Sequence, residues 1–148
     1  MFTFWNNRFQ PQTFLAATLG TGAHNVMSLA FNFNQGTSTA PADNGLLVQI
    51  TNNVNSGRST SYSYDLLNRI TAGWHLNATD WGTQYSIDNW GNLSQKAPCN
   101  NTMGCPTRSS GEGFSAGMNV NNQFNTYSYD LSGNMLNDQL GHTFDLPP

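Results

Sequence analysis

Three recurring aspartates are the first candidates for catalytic residues, because paired carboxylates can act as acid and base on a glycosidic bond. They are Asp65, Asp88 and Asp130. Each takes the same position in one of three similar segments: "YSYDLLNRIT", "YSIDNWGNLS" and "YSYDLSGNML". A catalytic pair would break such a repetition, whereas a repeated turn would produce it. The pattern therefore predicts structural carboxylates and no enzyme activity.

Two cysteines, Cys99 and Cys105, lie in "CNNTMGC". Two interpretations stay open: incidental loop thiols, or a local disulfide formed in an oxidising compartment. A zinc site is disfavoured because the spacing is not C-x-x-C and zinc needs more ligands than this loop offers. We therefore predict no metal and no cofactor.

The histidines give no catalytic set. His75 lies between Trp74 and Trp81 and near Asp80, in what we interpret as a loop between repeats, and His142 occupies the aromatic position of a last repeat. No group in these positions pairs with a recognisable nucleophile.

Composition excludes several partners. Charged residues make up only 9% of the chain, against about 25% in ordinary soluble domains, and the net charge is −3 with five scattered basic residues. This argues against a nucleic-acid partner. No apolar run approaches the roughly 20 residues of a membrane span, and the first residues lack the basic and apolar regions of a secretory signal.

The three similar segments share a local physical pattern. Tyr62-Ser63-Tyr64 alternates aromatic and small residues, which is typical of a strand with one aromatic face. The following Asp can cap a turn through its side-chain oxygen. Three residues later comes Asn68, Gly91 or Gly133, the residue types that most readily adopt positive φ. Each unit is therefore predicted to be a strand, a tight turn and a strand, and the chain to be all-β.

We expect one domain, residues 1–148, built of tandem antiparallel hairpins. A Ser/Thr/Ala/Pro-containing insertion at 35–43 interrupts one unit, and a degenerate unit is expected near residue 106. The unit boundaries are placed near 2–30, 31–61, 62–84, 85–105, 106–126, 127–141 and 142–148.

These segments resemble the YD repeats of Rhs proteins and of the related teneurin and toxin-complex shells. The resemblance implies a β-sheet ribbon that curves or spirals into a hollow shell, with packing tyrosines, turn-forming residues and no catalytic residue. The implied packing residues are Tyr62, Tyr64, Tyr85, Tyr127 and Tyr129. The implied turn residues are Asp65, Asp88 and Asp130 with Asn68, Gly91 and Gly133.

The implied role is structural. The chain would form part of a secreted or cell-surface shell that encloses or displays a polymorphic toxin or effector. Its partners would be further YD repeats of a parent chain. Six or seven repeats are too few to close such a shell, so we expect a fragment of a larger protein or a short stand-alone gene product.

An alternative function comes from the aromatic residues and the strand edges. Trp74, Trp81 and Trp90 can stack on carbohydrate or fill space between sheet layers. Trp90 is expected to be the most exposed, because Leu67 and Ser132 hold the same variable turn position. Unpaired strand edges would also let identical chains pair into a filament.

Overall fold

The computed structural model describes residues 1–20, 24–36, 40–108, 113–138 and 141–144. These residues form eleven strands and one short 3₁₀ helix, Ser56–Arg58. The strands are β1 (Phe2–Trp5), β2 (Pro11–Ala17), β3 (Asn25–Asn32), β4 (Gln49–Asn52), β5 (Thr60–Tyr64), β6 (Ile70–His75), β7 (Gly82–Ile87), β8 (Leu93–Pro98), β9 (Phe114–Ser115), β10 (Ser128–Tyr129) and β11 (Met135–Asn137). This confirms the expectation of an all-β protein.

Strands β1 to β9 form one sheet in which each strand pairs antiparallel with the strand before it in sequence. Strands β10 and β11 form a separate two-stranded sheet. Because neighbours in the sheet are neighbours in sequence, connections from odd to even strands all lie at one end of the large sheet. The turns that follow β1, β5 and β7 therefore share that end.

Phe14, Phe31 and Tyr62 lie on the same face of the sheet. Phe14 pairs with Leu29 of β3, and Phe31 in β3 packs edge-on against the Phe14 ring with the centroids 5.0 Å apart. Tyr62 pairs with Gly73, and a Cβ on that glycine would lie 3.4 Å from the tyrosine ring. Alternation along the strands thus puts these three rings on one face and Trp74 of β6 on the other.

The sheet has very little core. Among the described residues, the buried hydrophobic ones are Ala72, Cys99, Cys105 and Ala116. The chain exposes 10051 Å², whereas a compact monomer of 16.2 kDa would expose about 7,500 Å². In the part of the chain that the structure describes, most of the sheet is therefore a single layer. Within the described ranges, no helix has the length and apolar character needed to span a membrane.

Candidate functional site

The turn between β7 and β8 is organised around the Asp88 carboxylate. Its Oδ1 accepts hydrogen bonds from the backbone N–H groups of Trp90, at 2.9 Å, and Asn92, at 2.8 Å. Its Oδ2 accepts a third from Asn92 Nδ2 at 2.9 Å. Gly91, at φ 93°, donates its N–H to the Asp88 carbonyl at 3.1 Å. The carboxylate therefore satisfies the turn amides that the sheet cannot reach.

The turn after β5 has the same geometry. Asp65 Oδ1 accepts from the backbone N–H groups of Leu67 and Arg69, each at 2.9 Å. Asn68 takes the left-handed position at φ 63°. Arg69 Nε donates to Asp65 Oδ2 at 2.6 Å.

The turn between β10 and β11 repeats this arrangement. Asp130 Oδ1 accepts from the N–H groups of Ser132 and Asn134 at 2.9 and 2.8 Å, and Gly133 has φ 87°. The three similar segments of the sequence thus form three turns of the same geometry.

Three further turns of this kind were missed by sequence reasoning. In each, the first residue accepts the backbone N–H of the fifth through Oδ1, and the fourth has positive φ. They are Asn6–Gln10, Asn119–Gln123 and Asp138–His142. Asn in place of Asp hides the first two, and Phe9 at φ 58° hides the usual glycine signal. The signal that remains is Asn or Asp followed four residues later by a long or amide-bearing polar residue.

The repeat boundaries can be compared with these turns. The degenerate unit expected near 106 includes residues 109–112, which lie outside the described residues, and the turn of that interval is Asn119–Gln123. His142 closes a turn that begins at Asp138, instead of opening a new unit with an aromatic position; residues 145–148 of that unit lie outside the described residues. Residues 37–39 of the insertion also lie outside the described residues. The residues on the two sides of this gap are joined by Asn34, whose Oδ1 accepts hydrogen bonds from the backbone N–H groups of Gly36 and Ala42.

The first and fifth residues of each turn are chemically matched. Where the first residue is Asp, the fifth donates to Oδ2: Arg69, Asn92, Asn134 and, at 2.7 Å through Nδ1, His142. Where the first is Asn, the fifth is Gln and the direction reverses. Asn119 Nδ2 donates to Gln123 Oε1 at 3.1 Å, and Asn6 Nδ2 donates to Gln10 Oε1. Each turn thus has one donor and one acceptor at this contact.

The hydrogen bonds set the electrostatics of the aspartates. The backbone N–H of Arg69 is the main cause of a lowered pKa at Asp65. The side-chain amides of Asn92 and Asn134 are the main causes of the lowered pKa values of Asp88 and Asp130. Each carboxylate is therefore held ionised and engaged by its own turn, which suits a structural acceptor and not a general acid.

Neighbouring turns also bond to each other. Arg69 NH1 donates to the Asp88 carbonyl at 2.8 Å, and Asn92 Nδ2 approaches Asn122 Oδ1 at 2.5 Å. We call the end of the sheet formed by turns 65–69, 88–92 and 119–123 the turn edge.

The structure joins Cys99 and Cys105 in a disulfide. The loop between them folds back over the sheet. Ser63 Oγ in β5 donates to the Met103 carbonyl at 2.5 Å, and Thr102 Oγ1 donates to Gln84 Oε1 at 2.9 Å. Both cysteines are buried, so the cysteine loop supplies much of the small core.

Arg108 is a buried residue that sequence reasoning missed. Its NH2 donates to the His75 carbonyl at 2.7 Å, and its backbone N–H donates to the Cys99 carbonyl at 2.8 Å. A Cβ on Gly82 would lie 2.9 Å from Arg108 Cγ and 3.1 Å from Cys99 Sγ. These contacts join residues far apart in sequence, so no local pattern predicts them.

The three tryptophans occupy different environments. Trp74 packs against the buried cluster of Ala72 and the two cysteines. Trp81 stacks on His75, with the ring centroids 6.2 Å apart. Trp90 lies in a turn and is 89% exposed. The structure therefore does not bring them together as one stacking platform.

The tyrosines of the repeats pack and hydrogen-bond. Tyr64 Oη donates to the Leu47 carbonyl at 2.7 Å, and burial raises the pKa of its phenol. Tyr129 Oη accepts from the Phe124 N–H at 3.1 Å, and the Tyr127 ring lies 5.0 Å from the Phe124 ring. Tyr85 is half-buried in β7 opposite Lys96.

His75 is paired with a carboxylate at the end of β6. His75 Nδ1 lies 2.5 Å from Asp80 Oδ2, and its ring is covered by Trp81. Among the described residues, no group of three or more His, Cys, Asp or Glu side chains is arranged to hold a metal ion.

No protein-family model matches the chain, and no curated protein matches it. Its function is therefore inferred from the turns, the cysteine loop and the open sheet.

Proposed function

We propose that the chain is a structural YD-repeat segment of an Rhs-like shell protein, whose ribbon encloses or displays a toxin or effector outside the cell. The observation that carries this proposal is the recurrence of one turn along a sheet in which every strand pairs with its sequence neighbour. A repeat ribbon is built in this way, because each unit contacts only the next.

The open faces of the sheet support the same role. A single layer with so few buried hydrophobic side chains among its described residues gains stability chiefly from strand pairing and from adjacent units. Such a layer fits the wall of a larger shell better than it fits an independent globular domain.

Strand β1 is the edge where a further unit would pair. Phe2, Phe4 and Trp5 are 66%, 56% and 56% exposed, and the strand has no charged residue. Natural edge strands are usually protected by charge, proline or a covering element. We infer that β1 pairs with a strand of a further repeat, either in a parent chain or in an identical chain.

The disulfide supports a location outside the cytoplasm. Disulfides persist in secreted and surface proteins and are rare in reducing compartments. The Cys99–Cys105 pair therefore favours a secreted or cell-surface protein.

The edge can be tested by light scattering coupled to size-exclusion chromatography, with electron microscopy of the associated fractions. The chain should associate with rising concentration, and Phe4→Lys should abolish association because it puts a charge on the edge strand. Val54→Lys is the matched control, since Val54 is 50% exposed in the connection between β4 and β5, away from the β1 edge.

A chain that stays a monodisperse monomer at all concentrations would contradict pairing between identical chains. Equal loss in both variants would show that β1 is not the interface.

A further inference from the structure

Asn44 is the one asparagine in the sequence that is followed by glycine. In such a pair the backbone nitrogen of the glycine can attack the side-chain amide carbon of the asparagine, because the two atoms close a small ring within one chain. Gly45 has no side chain to shield this nitrogen, and it lies in the left-handed region at φ 91°. Both residues are exposed, so water reaches the place where the ring would form.

The carboxylate of Asp43 is hydrogen-bonded to the attacking nitrogen. Its Oδ1 accepts the Gly45 N–H at 2.8 Å. The same oxygen accepts from Gln10 Nε2 at 3.2 Å, and Arg8 NH1 lies 3.5 Å from it, so the side chain is fixed in place. The Gly45 N–H is the main cause of a lowered pKa at Asp43. The carboxylate is therefore ionised near neutral pH and can accept a proton from the nitrogen to which it is bonded.

The side-chain carbonyl of Asn44 has a donor as well. The backbone N–H of Leu46 donates to Asn44 Oδ1 at 3.1 Å. Attack on the amide carbon places negative charge on this oxygen, and a donor already directed at it stabilises that charge. Residues 43–46 thus supply a base, an electrophile, a nucleophile and an oxyanion donor in consecutive positions.

We propose that Asn44 is a site of autocatalytic deamidation. The Gly45 nitrogen forms a bond to Asn44 Cγ, and its proton passes to Asp43. The bond from Cγ to Nδ2 then breaks, and the nitrogen leaves with that proton as ammonia. Water opens the resulting cyclic imide at either carbonyl, which gives aspartate or isoaspartate at position 44. This reaction goes beyond the structural role of the repeats and does not depend on it.

The product changes the loop in which it forms. Asn44 and Asp65 both line an open concavity of ≈ 870 Å³, so a carboxylate at position 44 adds negative charge to its wall. Isoaspartate also lengthens the main chain by a methylene, which displaces the Gly45 N–H from Asp43. Since the Asp43 carboxylate joins this loop to turn 6–10, deamidation loosens the loop from that turn.

The test is incubation of the native chain near neutral pH, with peptide mapping by mass spectrometry at successive times. Deamidation replaces an amide NH₂ by OH, and fragmentation of the peptide locates the change at position 44. We expect Asn44 to react well before Asn55, an exposed internal reference that is followed by Ser56. The native chain should also react faster than the chain unfolded in urea, because unfolding removes Asp43 and Leu46 from their positions around the amide.

Asp43→Asn keeps an oxygen that can accept the Gly45 N–H but removes the base, and it should slow the reaction at least about tenfold. Between about pH 5 and about pH 7 the parent rate should change little, whereas the rate of this variant should fall with the hydroxide concentration. Arg8 is the charged residue that the described structure places against the carboxylate, and its charge is constant in this range. Asp80→Asn, the same change in the connection between β6 and β7, is the matched control and should keep the parent rate.

Faster reaction of Asn44 in urea than in the native chain would overturn this assignment. So would equal rates in Asp43→Asn and the parent, or a parent rate that follows the hydroxide concentration throughout. None of these results bears on pairing at β1, which is measured by association state.

Discussion

The guanidinium of Arg69 donates from NH1 to the backbone carbonyl of Asp88 at 2.8 Å, which hydrogen-bonds one hairpin turn to the next. The same side chain donates from Nε to Asp65 in its own turn at 2.6 Å. Asn92 repeats the arrangement, with contacts to Asp88 and to Asn122. The last residue of each of these two turns therefore donates hydrogen bonds both to the carboxylate of its own turn and to the following turn. The turns of the turn edge are thus joined by a continuous series of hydrogen bonds.

The left-handed position of the turn predicts the effect of a β-branched residue. Gly91 has φ 93°, and a Cβ there would meet nothing within 4 Å, so only backbone strain opposes substitution. Gly91→Val should lower the free energy of unfolding by about 1–3 kcal/mol, measured by urea denaturation. Gly91→Asn is the control and should cost less, because Asn68 and Asn122 occupy the same position in sister turns. Equal costs for the two variants would show that the turn does not require positive φ.

The lowered pKa values of Asp65, Asp88 and Asp130 predict loss of stability in acid. Since each folded-state pKa lies below the unfolded value of about 3.9, the stabilisation is fully present above that value. It is lost as the pH falls through the folded-state pKa values. Urea midpoints measured from about pH 7 to about pH 2 should fall over the acidic part of the range. In a variant with Asn in place of Asp65, Asp88 and Asp130, the urea midpoint should fall less at acidic pH. A urea midpoint of the parent chain that does not change with pH would contradict the prediction.

The matched first and fifth residues predict a coupling that a double-mutant cycle can measure. In Asp130→Asn, the new Nδ2 takes the place of the oxygen to which Asn134 Nδ2 donates, so the Asn134 amide must rotate and present its Oδ1 to keep this contact. Adding Asn134→Gln recreates the Asn119–Gln123 pair. The double variant should therefore protect the backbone N–H at position 134 from hydrogen exchange better than Asp130→Asn alone. Additive effects of the two substitutions would mean that the pair is not coupled.

The cysteine loop predicts a redox-dependent stability. Cys99→Ala with Cys105→Ala, or reduction of the parent chain, should cost about 2–4 kcal/mol in urea denaturation. Protection from hydrogen exchange should fall at the Cys99 N–H, which donates to the Gly82 carbonyl at 3.0 Å. A reducing agent should leave the stability of the double variant unchanged. Equal stability of the oxidised and reduced parent chain would show that the disulfide does not stabilise the core.

The sequence was most informative where structure is local. Alternation around Tyr62 and the Asp-to-Gly spacing at Asp88 predict a strand, a turn and a strand, and β5 to β8 have that form. The turn depends on five consecutive residues, so its pattern can be read without knowing the rest of the chain. Asn6–Gln10 was overlooked because the same geometry is there formed by Asn and Phe instead of Asp and Gly.

Long-range packing could not be predicted in this way. Arg108 is buried against the His75 carbonyl, and Met103 bonds to Ser63, although 33 and 40 residues separate these pairs. Trp90 is exposed, as its turn position predicts, whereas no sequence pattern predicts that Trp81 stacks on His75. The contacts of Arg108, Met103 and Trp81 depend on how the cysteine loop and the connections fold over the sheet, which no local spacing records.

The central claim is that the sheet is an extensible repeat ribbon, and internal duplication tests it most directly. A second copy of residues 60–81 inserted after Trp81 would pair its first strand with β6 and its second with β7. Hydrogen exchange should show protected amides in both copies, and the urea m-value should rise because more surface is exposed on unfolding. An insert of the same residues in scrambled order is the control and should stay unprotected. A duplicated chain whose inserted copy is unprotected, or which no longer folds, would contradict the ribbon.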